Sequence, residues 1–285
     1  MRELVLISGA STGMGAAAAR ELAGRGYHVL AGVRRESDGD AIRADNLEPV
    51  LLDITDSGQI DAVAERIAGD PAGRPLRAVI NNAGIAINAP VEVLSMEEWR
   101  RQFDVNFFGH VAVTKAVLPF LHASGGRVVN MSSIGGRIAM PTYGAYAGAK
   151  FAMEAMSDSL RRELAPHGVQ VVVVEPGGVR TEMTGHGVER AEEVLVAMDP
   201  ANRARYGGLL RAIINQANAF TTSGLPAEKA ALVIAEAATA RRPRKRYTIG
   251  RDAALLVRLS RLASDRVLDR VLAANLRPHF PVEAR

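Results

Sequence analysis

The chain has 285 residues, 48% hydrophobic and 23% charged, the profile of a folded globular protein rather than a disordered one. It contains no cysteine, which excludes disulfides, thiolate metal sites and a cysteine nucleophile, and no metal site is expected. The net charge is only +4, and the densest basic run (Arg241, Arg242, Arg244, Lys245, Arg246) has no interleaved aromatics; it reads as a solvated loop, so no nucleic-acid partner is expected.

No window reaches the ~20 apolar residues of a membrane span. The opening MRELVLISGA reads as a first strand, not a signal peptide, which makes a cytoplasmic location the default expectation. Residues 4–7, LVLI, are that strand, and AAAARELAGRG is a strong helix former closed by Gly24 and Gly26. Between them lies Ser8–Gly15, SGASTGMG. Its glycines 9, 13 and 15 allow a tight turn with close backbone approach, while Ser11, Thr12 and Met14 complete a loop that leads into a helix N-terminus. Free N–H groups there suit a pyrophosphate. An ordinary strand–turn–helix is the alternative, and the order of strand, glycines and helix favours nucleotide binding.

The second strand, Tyr27–Val33, runs into Arg34 and Arg35. An acidic residue at this strand end would bond an adenosine ribose 2′-hydroxyl; none is present, and an arginine fork can pair with a 2′-phosphate instead. NADP(H) is therefore the expected cofactor, chiefly through Arg34, with NAD(H) as the second choice. A third strand, Val50–Leu52, ends in Asp53 and Ile54, placed to contact an adenine. A helix over Ser57–Ala68 and a Pro/Gly turn follow. They lead to a strand at Ala78–Ile80 and to Asn81-Asn82-Ala83-Gly84, a loop suited to lie over a ligand where open α/β sheets bind. The next helix, from about Ser95, carries Asn106; asparagine is an indifferent helix former, so its place there invites either a functional reason or a buried amide satisfied by neighbouring backbone.

A β-branched strand at Val128-Val129 comes next, then Ser132 and Ser133, then a helix bearing Tyr146 and Lys150. Their i, i+4 spacing puts phenol and ammonium on one face. A tyrosine titrates near pH ~10, and a nearby cation would lower that value and fit Tyr146 for proton transfer. A sixth strand, Val169–Val174, runs into EPGGVRTEM, where Pro176, Gly177 and Val179 would carry the chain beneath a cofactor and Thr181 could bond a carboxamide. The βαβα alternation of apolar strands predicts an α/β fold, a doubly wound parallel sheet of about seven strands, with 1–285 as one dinucleotide-binding domain. Within it, 182–226 breaks the rhythm with helical stretches and reads as a substrate lid, with a merely structural helix pair as the alternative. A helix from Pro226 to Ala240 and a last strand at Tyr247–Ile249 follow. The tail, 251–285, is an amphipathic helical extension that packs on the body or a neighbour, or less readily on a membrane surface.

These motifs together resemble those of the short-chain dehydrogenase/reductase family. TGxxxGxG appears as SGASTGMG with Ser8 for threonine, NNAG as Asn81–Gly84, YxxxK as Tyr146 and Lys150, and PGxxxT as Pro176, Gly177 and Thr181. The resemblance covers residues 4–181. It implies that Ser133 rather than Ser132 orients the substrate oxygen, that Tyr146 transfers its proton, that Lys150 lowers the Tyr146 pKa and bonds the nicotinamide ribose, and that Asn106 maintains a proton path from Lys150. Tyr143, lacking a lysine four residues on, is set aside. AGVRR and RYTIGRDA resemble the retinol dehydrogenase and 17β-hydroxysteroid dehydrogenase-like branch. That branch implies a lipophilic alcohol or carbonyl substrate (steroid-, retinoid- or ketone-like) and a homodimer or homotetramer built through the helices bearing Asn106 and Tyr146. The competing expectations are a reductase of small polar carbonyl compounds and a non-catalytic NADP-binding sensor or scaffold.

Overall fold

The computed structural model describes residues 3–281, and the side chains of 220–222, 251, 252 and 261 lie outside the description, as do the last four positions of the expected tail extension. Seven parallel strands form one sheet in the order β3-β2-β1-β4-β5-β6-β7. They are β1 Leu4–Ile7, β2 His28–Val33, β3 Leu47–Leu51, β4 Leu76–Asn81, β5 Arg127–Met131, β6 Gln170–Pro176 and β7 Arg246–Ile249. The strand order reverses between β1 and β4, which opens a crevice beyond their carboxyl ends, the place where open α/β sheets bind ligands.

Each central strand is buried on both sides, as the apolar runs predict. In β1, Val5 and Ile7 face one core with α1 (Gly13–Gly24) and α9 (Ala227–Thr239); Leu4 and Leu6 face the other, with α3 (Ser57–Ala68), α5 (Gly109–Ser124) and α6 (Gly144–Leu164). This alternation is the period-two geometry of a strand. Each such fully buried aliphatic side chain contributes about 1.5–3 kcal/mol.

Several boundaries differ from the sequence reading. β3 starts at Leu47, not Val50, and contains Glu48 and Pro49. It is an edge strand, where proline is tolerated and one side stays half exposed. A short helix, α2 (Glu36–Asp40), follows β2. The helix expected from Ser95 is α4 (Met96–Phe103), with Ser95 accepting from Glu98 N–H at its start. It passes through a π-helical turn at Asp104–Phe108 before α5. Residues 182–226 are two packed helices, α7 (Glu182–Ala197) and α8 (Pro200–Ser223), around Ala191, Leu195, Met198, Leu210 and Ile214. The tail is two helices, α10 (Arg251–Leu262) and α11 (Asp265–Leu276), and α11 packs Leu276 against Ala212 and Ile213 of α8.

The basic run is not wholly a solvated loop. Arg246 begins β7 and bonds Glu154 and Asp158 of α6, each at 3.0 Å, because β7 lies on the sheet beside β6 and turns this side chain onto α6. No described helix is long and apolar enough to cross a membrane.

Candidate active site

The glycine turn after β1 follows from conformations only glycine adopts freely. Gly9 has φ +65 and Gly13 φ +55, in the left-handed region. A Cβ on Gly9 would lie 2.7 Å from Ala83 Cα, so the turn is pressed against the loop after β4. That loop braces it in return: Asn82 Nδ2 donates to the carbonyls of Ser8 (3.0 Å) and Gly9 (2.9 Å), and Ser8 Oγ accepts from the N–H groups of Asn82 and Ala83. Thus Asn82 serves as a clamp on the turn, and Ser8 does the work its hydroxyl allows in place of threonine. Asn81 lies away from the crevice. It is fully buried and donates to Thr114 and Asn130, each at 2.8 Å.

Helix α1 begins directly after the turn with no side-chain cap and no acidic residue in its first turn. Its N–H groups and positive dipole end are therefore uncompensated by the chain itself. Arg34, beyond β2, is exposed and forms no hydrogen bond or ion pair with another described residue. Asp53 bonds its own loop through the N–H and hydroxyl of Thr55.

A cavity of about 1550 Å³ joins these elements, and every expected cofactor residue lines it, from Gly9 and Arg34 through Ile54 and Gly84 to Val179 and Thr181. Ser133, Tyr146 and Lys150 line the same cavity. Ser133 lies two residues past β5, at the start of a short turn, and accepts from Gly135 N–H at 3.0 Å, which fixes its hydroxyl beside the tyrosine. Tyr146 and Lys150 rise from the first turns of α6; Lys150 Nζ donates to Met131 O at 2.9 Å and lies 5.8 Å from the Tyr146 ring centroid.

The electrostatics differ from the sequence expectation. Burial raises the Tyr146 phenol above its ordinary value, partly opposed by its hydrogen bond to Ser133. Burial outweighs any lowering by Lys150, and it also pushes the lysine itself down to about 8, with Glu154 one turn on restoring part of the charge preference. Desolvation of both groups therefore outweighs their attraction. His110 is buried nearby and held at about 3 by burial and by the Lys150 charge. It is neutral, and its Nε2 donates to Ala83 O at 2.8 Å.

Asn106 is also buried, but behind the cavity wall rather than on it. Its Oδ1 accepts from Ile85 N–H at 2.9 Å and its Nδ2 donates to Ile85 O at 2.8 Å. The π-helical turn at Asp104–Phe108 brings it there, so the amide is satisfied by neighbouring backbone, one of the two readings its sequence position allowed.

Residues that the sequence reading passed over complete the site. Tyr143, set aside for lacking its lysine, stacks edge to face on Tyr146 with ring centroids 6.0 Å apart and lines the cavity. It follows Thr142, a β-branched residue at φ +69, a strained conformation that persists only where the surroundings enforce it. Ala89 N–H, donating to Thr142 O at 3.0 Å, is one such constraint. The proximity of Tyr143 to Tyr146, three residues apart at a helix start, was the signal available. Leu272 and Asn275 of α11 also reach the cavity, a contribution no local motif announces.

The family model for short chain dehydrogenases matches residues 3–192. Retinol dehydrogenase 5 of Mus musculus is 38% identical over 281 residues, covering 94% of this chain and 87% of that protein. The NADPH-dependent 3-dehydrocapnine reductase of Ornithobacterium rhinotracheale is 30% identical over 280 residues, covering 95% of this chain and 96% of the relative. Among solved structures, a short chain dehydrogenase from Burkholderia cenocepacia J2315 in complex with NADP superposes with a TM-score of 0.72 at 27% identity, covering 96% of this chain and 97% of that one. The chain belongs to the short chain dehydrogenase family of oxidoreductases and resembles its retinol dehydrogenase-like branch.

Proposed function

We propose that this protein is an NADP(H)-dependent oxidoreductase acting on a lipophilic alcohol or carbonyl compound. The observation that carries the reading is the meeting of Ser133, Tyr146 and Lys150 with the Gly9–Gly15 turn on one cavity. Apolar side chains from α7 and α8, including Met183, Val188, Ala191 and Ile213, line the same space, and helices α7 and α8 with α11 act as its lid. On the same proposal, 1–285 is one dinucleotide-binding unit, with 182–226 as lid and 251–285 as extension.

The residues present fit the dinucleotide. A turn with no room for side chains leads to an uncapped helix start. Ser11–Gly15 would hold the pyrophosphate there, Arg34 the 2′-phosphate, Asp53 and Ile54 the adenine, and Asn82–Gly84 with Val179 the body of the cofactor. Tyr146 and Lys150 would hold the nicotinamide ribose, and Pro176, Gly177 and Thr181 its carboxamide. When bound, the nicotinamide supplies or accepts the hydride. The chain's own part is positional and protonic. The Ser133 hydroxyl orients the substrate oxygen, Tyr146 gives or takes the proton at that oxygen, and the Lys150 charge favours the phenolate as the proton leaves. Asn106 is a positioning residue that fixes the main chain at Ile85 beside the cavity.

NADP(H) is favoured by the free guanidinium of Arg34 and the lack of an acid at the end of β2; two relatives whose descriptions name NADPH or NADP support it. Exposed Phe108 and Phe151, 56% and 44% accessible on the segments bearing Asn106 and Tyr146, support a homodimer or homotetramer, which a monomeric mass by light scattering would contradict. The test of the reading is NADPH oxidation with medium-chain ketones and aldehydes set against small polar ones. Faster turnover of the lipophilic set is expected; turnover confined to the polar set contradicts the substrate class, and cofactor binding without turnover of either set favours a sensor.

A further inference from the structure

One end of the cavity is polar, and the residues there have no part in the proton transfer. Gln216 of α8 lines the cavity and is only 6% exposed, yet its carboxamide bonds no other described residue. Its amide donor and acceptor are therefore open to a molecule bound in the cavity. Tyr143 packs against the cluster of Ala212, Ile213 and Leu276, and Ala212 and Ile213 lie one turn before Gln216 on the same face of α8.

Asn88 stands behind Tyr143. It is 7% exposed, lines the same cavity, and its Oδ1 is buried without a partner among the described residues. Burial raises the phenol to about 12, so the proton is retained across the working pH range. Tyr143 thus offers a donor, and Gln216 offers both a donor and an acceptor. A hydroxyl is the small group that satisfies both at once.

We propose that Tyr143 and Gln216 form a subsite for a hydroxyl group carried by the substrate in addition to the carbon that reacts, so that the preferred substrate is a lipophilic hydroxyketone or diol. The inference rests on the oxidoreductase reading above. The Tyr143 and Tyr146 ring centroids are 6.0 Å apart, so on this proposal the second oxygen is taken to lie a few carbons from the reacting one. A site built to bond a hydroxyl discriminates strongly against the analogue lacking it, because its own polar groups are then left unpaired.

The experiment compares medium-chain ketones with matched hydroxyketones, the hydroxyl a few carbons from the carbonyl, in wild type, Tyr143→Phe and Gln216→Leu. Two readouts are taken: kcat/KM with NADPH, and the shift in Tm that each ketone produces. The expected result is a preference of about tenfold or more for the hydroxyketone in wild type, collapsing in both variants while near- and far-ultraviolet circular dichroism stays native. Equal efficiency for the two ketones in wild type overturns the subsite and leaves the oxidoreductase reading intact. No turnover, but a hydroxyketone-selective Tm shift lost in Gln216→Leu, upholds the subsite and contradicts the reading it rests on. No turnover and no selective shift overturns the subsite, as does a preference unchanged in both variants.

Discussion

The Lys150 ammonium donates to the main-chain carbonyl of Met131 at 2.9 Å, tying the helix of Tyr146 to the end of the strand that leads into Ser133. The bond holds three candidate catalytic groups in one frame. It also keeps a cation in a place where burial disfavours it.

That cost has a measurable sign. The folded-state pKa of Lys150 is lowered to about 8 from 10.5. Below pH about 8 the lysine is charged in both states and the penalty is borne in full. Between about 8 and 10.5 the unfolded chain still holds the proton that the fold releases, so stability rises with pH. Lys150→Met is therefore expected to raise stability at neutral pH by something on the order of 2 kcal/mol, with the orphaned Met131 carbonyl reducing the gain. The gain should shrink towards pH 10, and activity should be lost. Urea titrations of both proteins at several pH values check this; a variant less stable than wild type at neutral pH contradicts it.

Asp70 works in the opposite sense. Its carboxylate accepts from the Arg74 side chain and backbone and from Arg66, which together hold its pKa well below the usual carboxylate range. The stability this supplies is present above the unfolded carboxylate pKa of ~3.9 and is lost as pH falls below it. Asp70→Asn is expected to cost roughly 2 kcal/mol at neutral pH, a cost that shrinks steadily as pH falls from ~3.9 towards the depressed folded value, which paired thermal melts would reveal.

The glycine turn admits no side chain at Gly15. A Cβ there would overlap the Gly9 carbonyl oxygen and lie 2.5 Å from Asn82 Nδ2, so the clamp between the two loops must open. Gly15→Ala is expected to lose most NADPH binding and to cost roughly 1–3 kcal/mol of stability. Wild-type affinity by fluorescence titration would show the turn to be more compliant than its geometry indicates.

Arg34 offers a cleaner substitution because it is exposed and bonds nothing in the described chain. Arg34→Ala should leave stability within about 0.5 kcal/mol of wild type and lower kcat/KM for NADPH at least tenfold, while changing it little for NADH. An unchanged cofactor ratio removes Arg34 from the choice.

How much of this could be read beforehand depended on the range of the interaction. The central strands were legible because burial on both faces leaves near-continuous apolar runs, as in LVLI of β1. The edge strand β3 was misplaced by three residues because its exposed side admits Glu48 and Pro49. Tyr146, Lys150 and the glycines were found through fixed local spacing. Tertiary packing decided the rest. Asn81 turned into a buried network, Arg246 onto α6, and Tyr143 onto Tyr146. The phenol's direction of shift was reversed as well, because spacing conveys the nearness of a cation but not the desolvation that opposes it.

Tyr146→Phe tests the central claim most directly, since it removes one oxygen and keeps the ring that packs on Tyr143. NADPH oxidation with a lipophilic ketone, compared in wild type and variant, should fall by at least about 100-fold, the usual scale of a lost proton-transfer group, with NADPH affinity within a few fold of wild type. Equal turnover in the two proteins would take Tyr146 out of the mechanism.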